Sequence, residues 1–279
     1  MAAAKQALRR KEATTTRDVE VEVERRAGIL MLTLARPERR NSLSEAMLSA
    51  LQAGIDVAAR DAGIRAVIIA AKGSAFCAGH DLKELSSRRS DGDGGRAYFA
   101  RIMHQCAEMM RSIVRCPKPV IAAVQGPASA AGCQLVASCD LAVASEQASF
   151  ATPGVNIGLF CSTPMVALSR NVTRKRAMEM LLTGETIDAA TARGFGLVNR
   201  VVPPEYLTQI VGKYAETIAS KSSLTLKVGK EAFYRQAEMS LADAYRYASE
   251  VMVENMLARD AEEGIGAFLE KRDPEWTGE

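Results

Sequence analysis

Residues 125–140 constrain the fold of this chain more than any other segment. An apolar run at residues 120–124 leads into them and is typical of a buried strand in a parallel sheet. Gly126 and Pro127 then signal a turn, small residues follow, and a helix is predicted from about Cys133. Small residues at such a junction let a ligand approach the backbone, and the first N–H groups of a helix have no partner within it. The segment therefore predicts either an oxyanion-binding site or simply a close contact between helix and sheet.

Strand and helix patterns alternate up to residue 202, and only helical patterns follow Pro203 and Pro204. This order predicts an α/β fold with a helical C-terminal region. Residues 19–23 and 28–34 are expected to pair antiparallel. The remaining predicted strands are residues 66–71, 120–124, 141–144 and 197–202.

Several helix starts carry a capping residue. Ser44, Asp81 and Asp188 each precede a helical pattern and are predicted N-caps, and Thr163 with Pro164 is expected to open another helix. A long helix is predicted over residues 97–115. The polar, glycine-containing residues 86–95 before it are typical of a mobile surface loop.

The charge balance argues against nucleic acid or a membrane as a partner. The 279 residues contain 36 basic and 33 acidic side chains, a net charge of only +3. A basic N-terminal tail leaves nucleic-acid binding only as a weak third hypothesis. No apolar run approaches the roughly 20 residues that a membrane span needs.

The six cysteines form no C-x-x-C pair, and the chain has two histidines. We therefore expect reduced intracellular thiols and no metal site. The cytoplasm is the predicted compartment and the mitochondrial matrix is the alternative. The alternative arises because residues 1–17, rich in Ala, Thr, Lys and Arg with one acid, are either a disordered basic tail or a transit peptide.

Two stretches together resemble a known family. Residues 73–85 and 126–140 are similar to the paired oxyanion-hole motifs of the enoyl-CoA hydratase/isomerase (crotonase) superfamily. Supporting blocks occur in the family's order at residues 36–43, 183–185, 196–198 and 268–272. The resemblance covers residues 18–279. Three strings, at residues 79–85, 130–140 and 150–164, match one subgroup of the family nearly letter for letter.

The resemblance implies a fold and an assembly. The fold would be the ClpP/crotonase-type spiral of ββα turns, with residues 18–203 as the spiral core and residues 204–279 as a helical oligomerisation subdomain. The assembly would be a homotrimer or a dimer of trimers. The ligand or substrate would be a CoA thioester, with no prosthetic group.

The resemblance also assigns residues to a site. The backbone N–H groups of His80 and Ala131 would hold the thioester carbonyl oxygen, and such donors can stabilise an enolate. Leu85, the predicted helix over residues 97–115 and residues 158–162 would line the acyl pocket. The positions expected to contact CoA, with Phe268 and Lys271 coming from a neighbouring subunit, are Arg39, Arg40, Ala78, His80, Leu82, Phe268 and Lys271.

One departure from the family decides what reaction to expect. Hydration of an enoyl-CoA uses two carboxylates, and the matching positions here are Gln134 and Gly154. Neither can transfer a proton, and loss of one general acid or base costs about 10²–10⁴ in rate. The carboxylate of the family's dienoyl isomerases falls on Ser162. None of the other candidates is expected to be essential for proton transfer: His80, Asp81, Glu84, Asn156, Cys161 and Ser162.

The expected function is acyl-CoA thioester binding in fatty-acid or acyl-CoA metabolism, with an oxyanion hole but without both hydratase glutamates. As a lyase- or isomerase-like enzyme, the protein would rely on the hole and need few protein bases. Decarboxylation of a malonyl-type thioester and thioester hydrolysis meet that condition. The alternative is a non-catalytic acyl-CoA binder or regulatory subunit.

Overall fold

The computed structural model describes residues 19–279, so the predicted tail of residues 1–17 lies outside the described residues. The strands fall into one large and one small sheet. In chain order they are β1 (Val21–Arg26), β2 (Ile29–Leu34), β3 (Ala66–Ala71), β4 (Val120–Val124), β5 (Ala128–Ser129), β6 (Leu141–Ser145), β7 (Ser149–Ala151), β8 (Ile187–Asp188) and β9 (Arg200–Val202).

Helices separate the strands and then make up the whole C-terminal region. They are α1 (Glu45–Arg60), α2 (Leu82–Ser87), α3 (Arg96–Arg115), α4 (Ala131–Ser138), α5 (Pro164–Leu168), α6 (Arg174–Thr183), α7 (Ala189–Phe195), α8 (Leu207–Ala219), α9 (Ser223–Gln236), α10 (Leu241–Met256) and α11 (Arg259–Glu270).

The large sheet has six strands in the order β1-β2-β3-β4-β6-β9. β1 and β2 are antiparallel, as the sequence predicts, and every other pair in this sheet is parallel. β4 is buried along its full length, because helices cover both faces of the sheet. The small sheet, β5-β7-β8, is built next to the start of α4.

The sheet separates two apolar cores. The larger one joins the sheet to α1, α3 and α4 and contains the fully buried Phe76 and Phe150. The smaller one lies on the opposite face, where Leu207, Val211 and Ala215 of α8 pack against the sheet. β3, β4 and β6 therefore carry buried apolar side chains on both faces of the sheet.

The helices after α8 are held differently. α9 and α10 contain no buried residue, and apolar side chains such as Leu241 and Leu257 remain exposed. A polar contact fastens α9 to the core: Lys230 Nζ donates to Asp140 Oδ2 at 2.6 Å, and the Tyr234 hydroxyl donates to Asp140 Oδ1 at 2.9 Å. The boundary between residues 203 and 204 stays a prediction.

Most helix starts agree with the sequence, and two expectations were wrong. Ser44, Asp81 and Asp188 accept backbone N–H groups as N-caps. Thr163 adopts helical backbone angles and makes no capping bond, although Pro164 does begin α5. The last strand is shorter than predicted. It begins at Arg200, and Leu197 and Val198 lie buried in the turn before it.

Candidate active site

Two loops meet at the carboxyl ends of β3 and β4. The Phe76 amide donates to the Pro127 carbonyl at 3.0 Å, and the Ser129 amide donates to the Cys77 carbonyl at 2.9 Å. Cys77 and Ala128 pair as a parallel bridge. These bonds make residues 73–81 and 126–132 a single backbone unit, which we call the loop pair.

Glycines allow the two halves of the loop pair to touch. A Cβ atom on Gly132 would lie 2.1 Å from the Cys77 carbonyl oxygen, closer than any side chain can approach. Gly79 has φ +90°, and a Cβ there would lie 3.3 Å from the Ala131 nitrogen. The backbone beside His80 and the first residue of α4 are therefore neighbours.

His80 and Ala131 each carry an amide that is left unused. Within residues 19–279, neither N–H donates a hydrogen bond to another protein group. Ala131 is the first residue of α4, so its N–H has no intrahelical acceptor. Ala130 before it has φ 50° and ψ −115°, a strained conformation for a residue with a Cβ atom. The two predicted oxyanion donors are thus adjacent and available.

Asn41 ends a charged loop, residues 36–41, which we call the basic loop. It connects this loop to the loop pair, a role that the sequence did not reveal. Its Nδ2 donates to the carbonyls of Lys72 at 2.9 Å and Ala75 at 2.8 Å, and its Oδ1 accepts from the Arg36 amide. The side chain is fully buried, and its backbone has φ 51°. Asparagine tolerates left-handed backbone better than most residues, and this preference is the signal that the sequence offered here.

The basic loop lies beside the first half of the loop pair. Arg39 pairs with Asp81 at 3.4 Å and keeps 59% of its side chain exposed. Arg40 is exposed, and its carbonyl accepts from the amide of the exposed Ala78 at 3.0 Å. Leu82, the first residue of α2, is 52% exposed. The structure thus brings four predicted CoA contacts to one edge of the site.

Phe268 and Lys271 lie apart from this cluster in the chain, at the end of α11. Phe268 is 81% exposed, so it covers little within one chain. The sequence interpretation placed these two residues over the CoA of a neighbouring subunit. That assignment stays a prediction.

The acidic residues after His80 have structural partners. Asp81 accepts from the amides of Lys83 and Glu84 and caps α2. Burial raises the pKa of the Asp81 carboxyl, but those amides, Ser42 and Arg39 outweigh burial and hold the pKa below its usual range. Glu84 accepts from the Tyr98 hydroxyl at 2.8 Å and from the Glu45 amide at 3.2 Å.

The His80 side chain is half-buried, and its imidazole lies near the Leu43 backbone. Neither Nδ1 nor Nε2 has a hydrogen-bond partner, and both atoms are shielded from solvent. Burial lowers the pKa of His80, and the Leu43 backbone and the Glu84 carboxylate oppose this shift without reversing it. The ring is therefore neutral at pH 7.

Gln134 lies one helical turn beyond the second oxyanion donor. It is 5% exposed, its amide bonds to the Ala130 carbonyl, and its Oε1 has no partner. Thr152, which follows β7, is fully buried with an unpaired hydroxyl. The first of the two carboxylate positions therefore holds a buried, neutral amide.

Gly154, the second carboxylate position, is already covered. A Cβ atom there would lie 2.6 Å from the Leu159 carbonyl oxygen and 2.9 Å from Cys161 Sγ. Burial raises the pKa of the Cys161 thiol, so it is a poor nucleophile. The glycine therefore permits a close backbone approach, and a glutamate at this position would displace residues 159–161.

Other candidates have no arrangement for proton transfer. Asn156 is exposed, and the Ser162 hydroxyl donates to the Phe160 carbonyl at 3.3 Å. All six cysteines are free and buried. Leu85 packs at the edge of the main core, consistent with a pocket wall.

Comparison with known proteins identifies the family. The family profile described as enoyl-CoA hydratase/isomerase matches residues 24–279. The chain belongs to the enoyl-CoA hydratase/isomerase family. Its ββα architecture with a helical C-terminal region is the crotonase fold, as expected.

Individual members of the enoyl-CoA hydratase/isomerase family are similar over most of the chain. A human protein named enoyl-CoA hydratase domain-containing protein 3, mitochondrial, is 50% identical over 252 residues, covering 90% of this chain and 82% of that protein. The rat protein of the same name is 49% identical over 250 residues, covering 90% of this chain and 82% of that protein. This is the subgroup whose three strings the sequence matches.

Solved structures of this family have the same fold. The crystal structure of human enoyl-CoA hydratase domain-containing protein 3 has a TM-score of 0.88 at 48% identity, covering 92% of this chain and all of that one. An enoyl-CoA hydratase from Mycobacterium smegmatis has a TM-score of 0.88 at 50% identity, covering 92% of this chain and 98% of that one.

The relatives' names also bear on the compartment. The human and rat proteins are named mitochondrial, which fits the alternative expectation and does not support the cytoplasmic one. Across residues 19–279, no helix is long and apolar enough to cross a membrane. The same residues contain no group of three or more potential ligands that could hold a metal ion.

Proposed function

We propose that this family member binds an acyl-CoA thioester and stabilises negative charge on its carbonyl oxygen, without the two glutamates of a hydratase. The observation that carries the proposal is the pair of unused amides, His80 and Ala131, on loops that touch. Two such donors are what an oxyanion hole requires, and each can contribute about 10²–10³ in rate. The setting would be fatty-acid or acyl-CoA metabolism.

The chemistry that such a site supports is formation of an enolate or a tetrahedral oxyanion. Decarboxylation of a malonyl-type thioester needs only the first: the bond to the carboxylate breaks and its electron pair moves into the enolate. Thioester hydrolysis needs the second, with water as nucleophile. Hydration needs proton transfer at both alkene carbons, for which Gln134 and Gly154 provide no group.

A non-catalytic acyl-CoA binder is the second candidate function. The closed space beside Gly154 favours it, because Leu159 and Cys161 leave no room there for a proton-transferring side chain. Such a protein would sequester acyl-CoA or act as a regulatory subunit.

Binding and turnover separate these candidates. Calorimetry with CoA thioesters should give saturable binding, and Ala131→Val should weaken it about tenfold by crowding the hole. Ala137→Val, on the same helix and also buried, is the matched control. Turnover of a thioester by the native protein, lost in Ala131→Val, supports the enzyme, whereas binding without turnover across the panel supports the binder.

Hydration of crotonyl-CoA tests the missing carboxylates directly. We expect the native rate to fall about 10²–10⁴ below that of a relative with a glutamate at either position. Gln134→Glu is close to isosteric and should raise the rate. Gly154→Glu should not, because its side chain meets Leu159 and Cys161. A brisk native rate would contradict this part of the proposal.

A homotrimer or dimer of trimers is proposed for the assembly. Exposed apolar side chains on α10 and α11, including Leu241, Tyr245 and Phe268, support an interface with another copy. Sedimentation equilibrium of the native protein would measure the state. The mitochondrial matrix is proposed as the compartment, on the names of the relatives.

A further inference from the structure

The Glu84 carboxylate is bonded to two other helices near the site. Its Oε1 accepts from the Tyr98 hydroxyl on α3 at 2.8 Å, and its Oε2 accepts from the Glu45 amide at the start of α1 at 3.2 Å. Glu84 itself lies in the first turn of α2, where its amide donates to the Asp81 carboxylate at 3.1 Å. One side chain therefore joins the beginnings of α1, α2 and α3.

The segment before α2 is held so that the His80 amide faces away from its neighbouring segment. Leu43 and His80 pair as a parallel bridge, in which the Leu43 amide donates to the Gly79 carbonyl at 2.7 Å. The Asp81 amide in turn donates to the Leu43 carbonyl at 3.4 Å. Because successive amides of an extended chain point to opposite sides, the His80 N–H points away from Leu43. This N–H is the first proposed oxyanion donor.

Glu84 provides a second attachment between the same two segments. Glu45 follows Leu43 by two residues and Glu84 follows His80 by four, so the bridge and the carboxylate tie residues 43–45 to residues 79–84 at both ends. The loop from α2 to α3 offers less support, since a Cβ atom on Gly92 or Gly94 would meet nothing within 4 Å. Glu84 is therefore a main determinant of how α2 is held against α1 and α3.

Tyr98 is well placed to keep its bond to Glu84. The residue is 7% exposed, and the guanidinium groups of Arg88 and Arg101 lie 4.9 and 5.0 Å from the centre of its ring. Burial and the bond to Glu84 raise the pKa of Tyr98 to about 12. The hydroxyl therefore remains protonated, and able to donate, throughout the neutral pH range.

We propose that Glu84 and Tyr98 are positioning residues for the oxyanion hole, because their bond holds α2 so that the His80 N–H stays directed at the ligand oxygen. The inference rests on the proposed thioester binding between His80 and Ala131, and it adds what holds the first donor in place. Neither side chain contacts the thioester oxygen or transfers a proton in this role. A shift of α2 would turn the His80 amide without removing any atom of the hole.

Calorimetry with butyryl-CoA and S-butyl-CoA measures the contribution of the hole. The two ligands differ only in the carbonyl oxygen, which S-butyl-CoA lacks, so contacts with the rest of CoA cancel in the ratio of their affinities. The native protein should bind butyryl-CoA at least about tenfold more tightly. Chromatography of the recovered ligand verifies that the thioester is intact.

Tyr98→Phe removes only the hydroxyl and keeps the ring between its neighbours. It should lower the preference for butyryl-CoA at least about threefold. Tyr234→Phe is the matched control, because the Tyr234 hydroxyl also donates to a carboxylate, Asp140 Oδ1, at 2.9 Å. Asp140 accepts from the amide of Val120, at the end of β4 opposite the loop pair. Both variants should unfold at lower urea concentrations, but only Tyr98→Phe should change the preference.

Variants of Glu84 separate position from charge. In Glu84→Gln the side chain can accept from the Glu45 amide and donate to the Tyr98 oxygen, so the preference should stay within about twofold of the native value. Glu84→Ala loses both bonds and should reduce the preference at least as much as Tyr98→Phe. An equal loss in the two Glu84 variants would mean that the charge acts instead, and would overturn the inference.

The outcomes separate this inference from the proposed function. If the native protein binds neither ligand, or binds both equally, the proposed use of the hole fails and the inference fails with it. If the native preference persists in Tyr98→Phe, or falls equally in Tyr234→Phe, thioester binding stands and the positioning role is overturned.

Discussion

The backbone packs differently in two regions of the candidate site, the loop pair and residues 153–162. In the loop pair, strand-like bonds and glycines bring residues 73–81 and 126–132 into contact and leave two amides free. In residues 153–162, backbone also closes on a glycine, but a carbonyl oxygen and a sulfur fill the space beside Gly154. One close approach creates room for a ligand oxygen, whereas the other removes room for a side chain.

This difference separates two functions that a hydratase combines. The side proposed to stabilise charge carries two unused amides, at His80 and Ala131, whereas Gln134 and Gly154 carry no carboxylate. The second position also differs in packing, because Leu159 and Cys161 fill the space beside Gly154. Variants at each side should test whether the two halves are independent.

Gly132→Ala should have the largest effect, because its Cβ atom would overlap the Cys77 carbonyl. Separating the loops should lower the free energy of unfolding by about 3 kcal/mol or more and abolish thioester binding. Urea unfolding and calorimetry measure the two effects. Gly212→Ala, in α8 with open space around it, should be neutral or slightly stabilising; equal losses in both variants would refute the overlap.

Asn41→Ala should come next. Removing the side chain takes the Asn41 donor from the Lys72 carbonyl and one of two donors from the Ala75 carbonyl, which keeps its bond from Gln125, at a cost of about 2 kcal/mol. Chemical denaturation would show the loss, and weaker thioester binding would show that the loop pair is disturbed. The exposed Asn156→Ala is the control and should stay within about 0.5 kcal/mol of the native protein.

Gly154→Ala should cost less, about 1–2 kcal/mol, because residues 159–161 can yield by small shifts. Combining it with Cys161→Ala removes the contact with sulfur but keeps the one with the Leu159 carbonyl, so rescue should be partial. Gly194→Ala, with open space, is the control. Unfolding curves that show no cost for Gly154→Ala would mean that the second position is not closed.

Asp81→Asn should have the smallest effect, and it should depend on pH. The pKa of Asp81 is lowered in the folded state, so its contribution is present at neutral pH and is lost as the pH falls through the folded pKa. Because asparagine still caps a helix, we expect a difference of at most about 1 kcal/mol at pH 7. Stability measured from about pH 6 to about pH 3 should converge for the two proteins; parallel curves would contradict the assignment.

The sequence predicted the parts of the fold that short-range patterns determine. Apolar runs such as β3 and β4, and caps such as Ser44 and Asp188, depend on residues close together in the chain. The positions of His80 and Ala131 came from a resemblance, and the fold makes them neighbours.

Contacts between distant residues were the part that could not be predicted. Asn41 contacts carbonyls more than 30 residues away, and nothing in its local sequence names them. The sequence shows only that Gly154 lacks a side chain. The path of residues 159–161 fills the space that such a side chain would occupy. The unpaired state of the His80 ring likewise depends on what surrounds it in the fold.

A hole made of main-chain donors has a consequence for mutational screening. Replacing a side chain deletes neither donor, so alanine scanning leaves residue 131 unchanged and retains the amide of residue 80. A scan of this protein would therefore score the two proposed main-chain donors as dispensable, and would find the proposed site only through the residues that hold the loops together. Backbone amide-to-ester replacement at these two positions would reveal what such a scan overlooks.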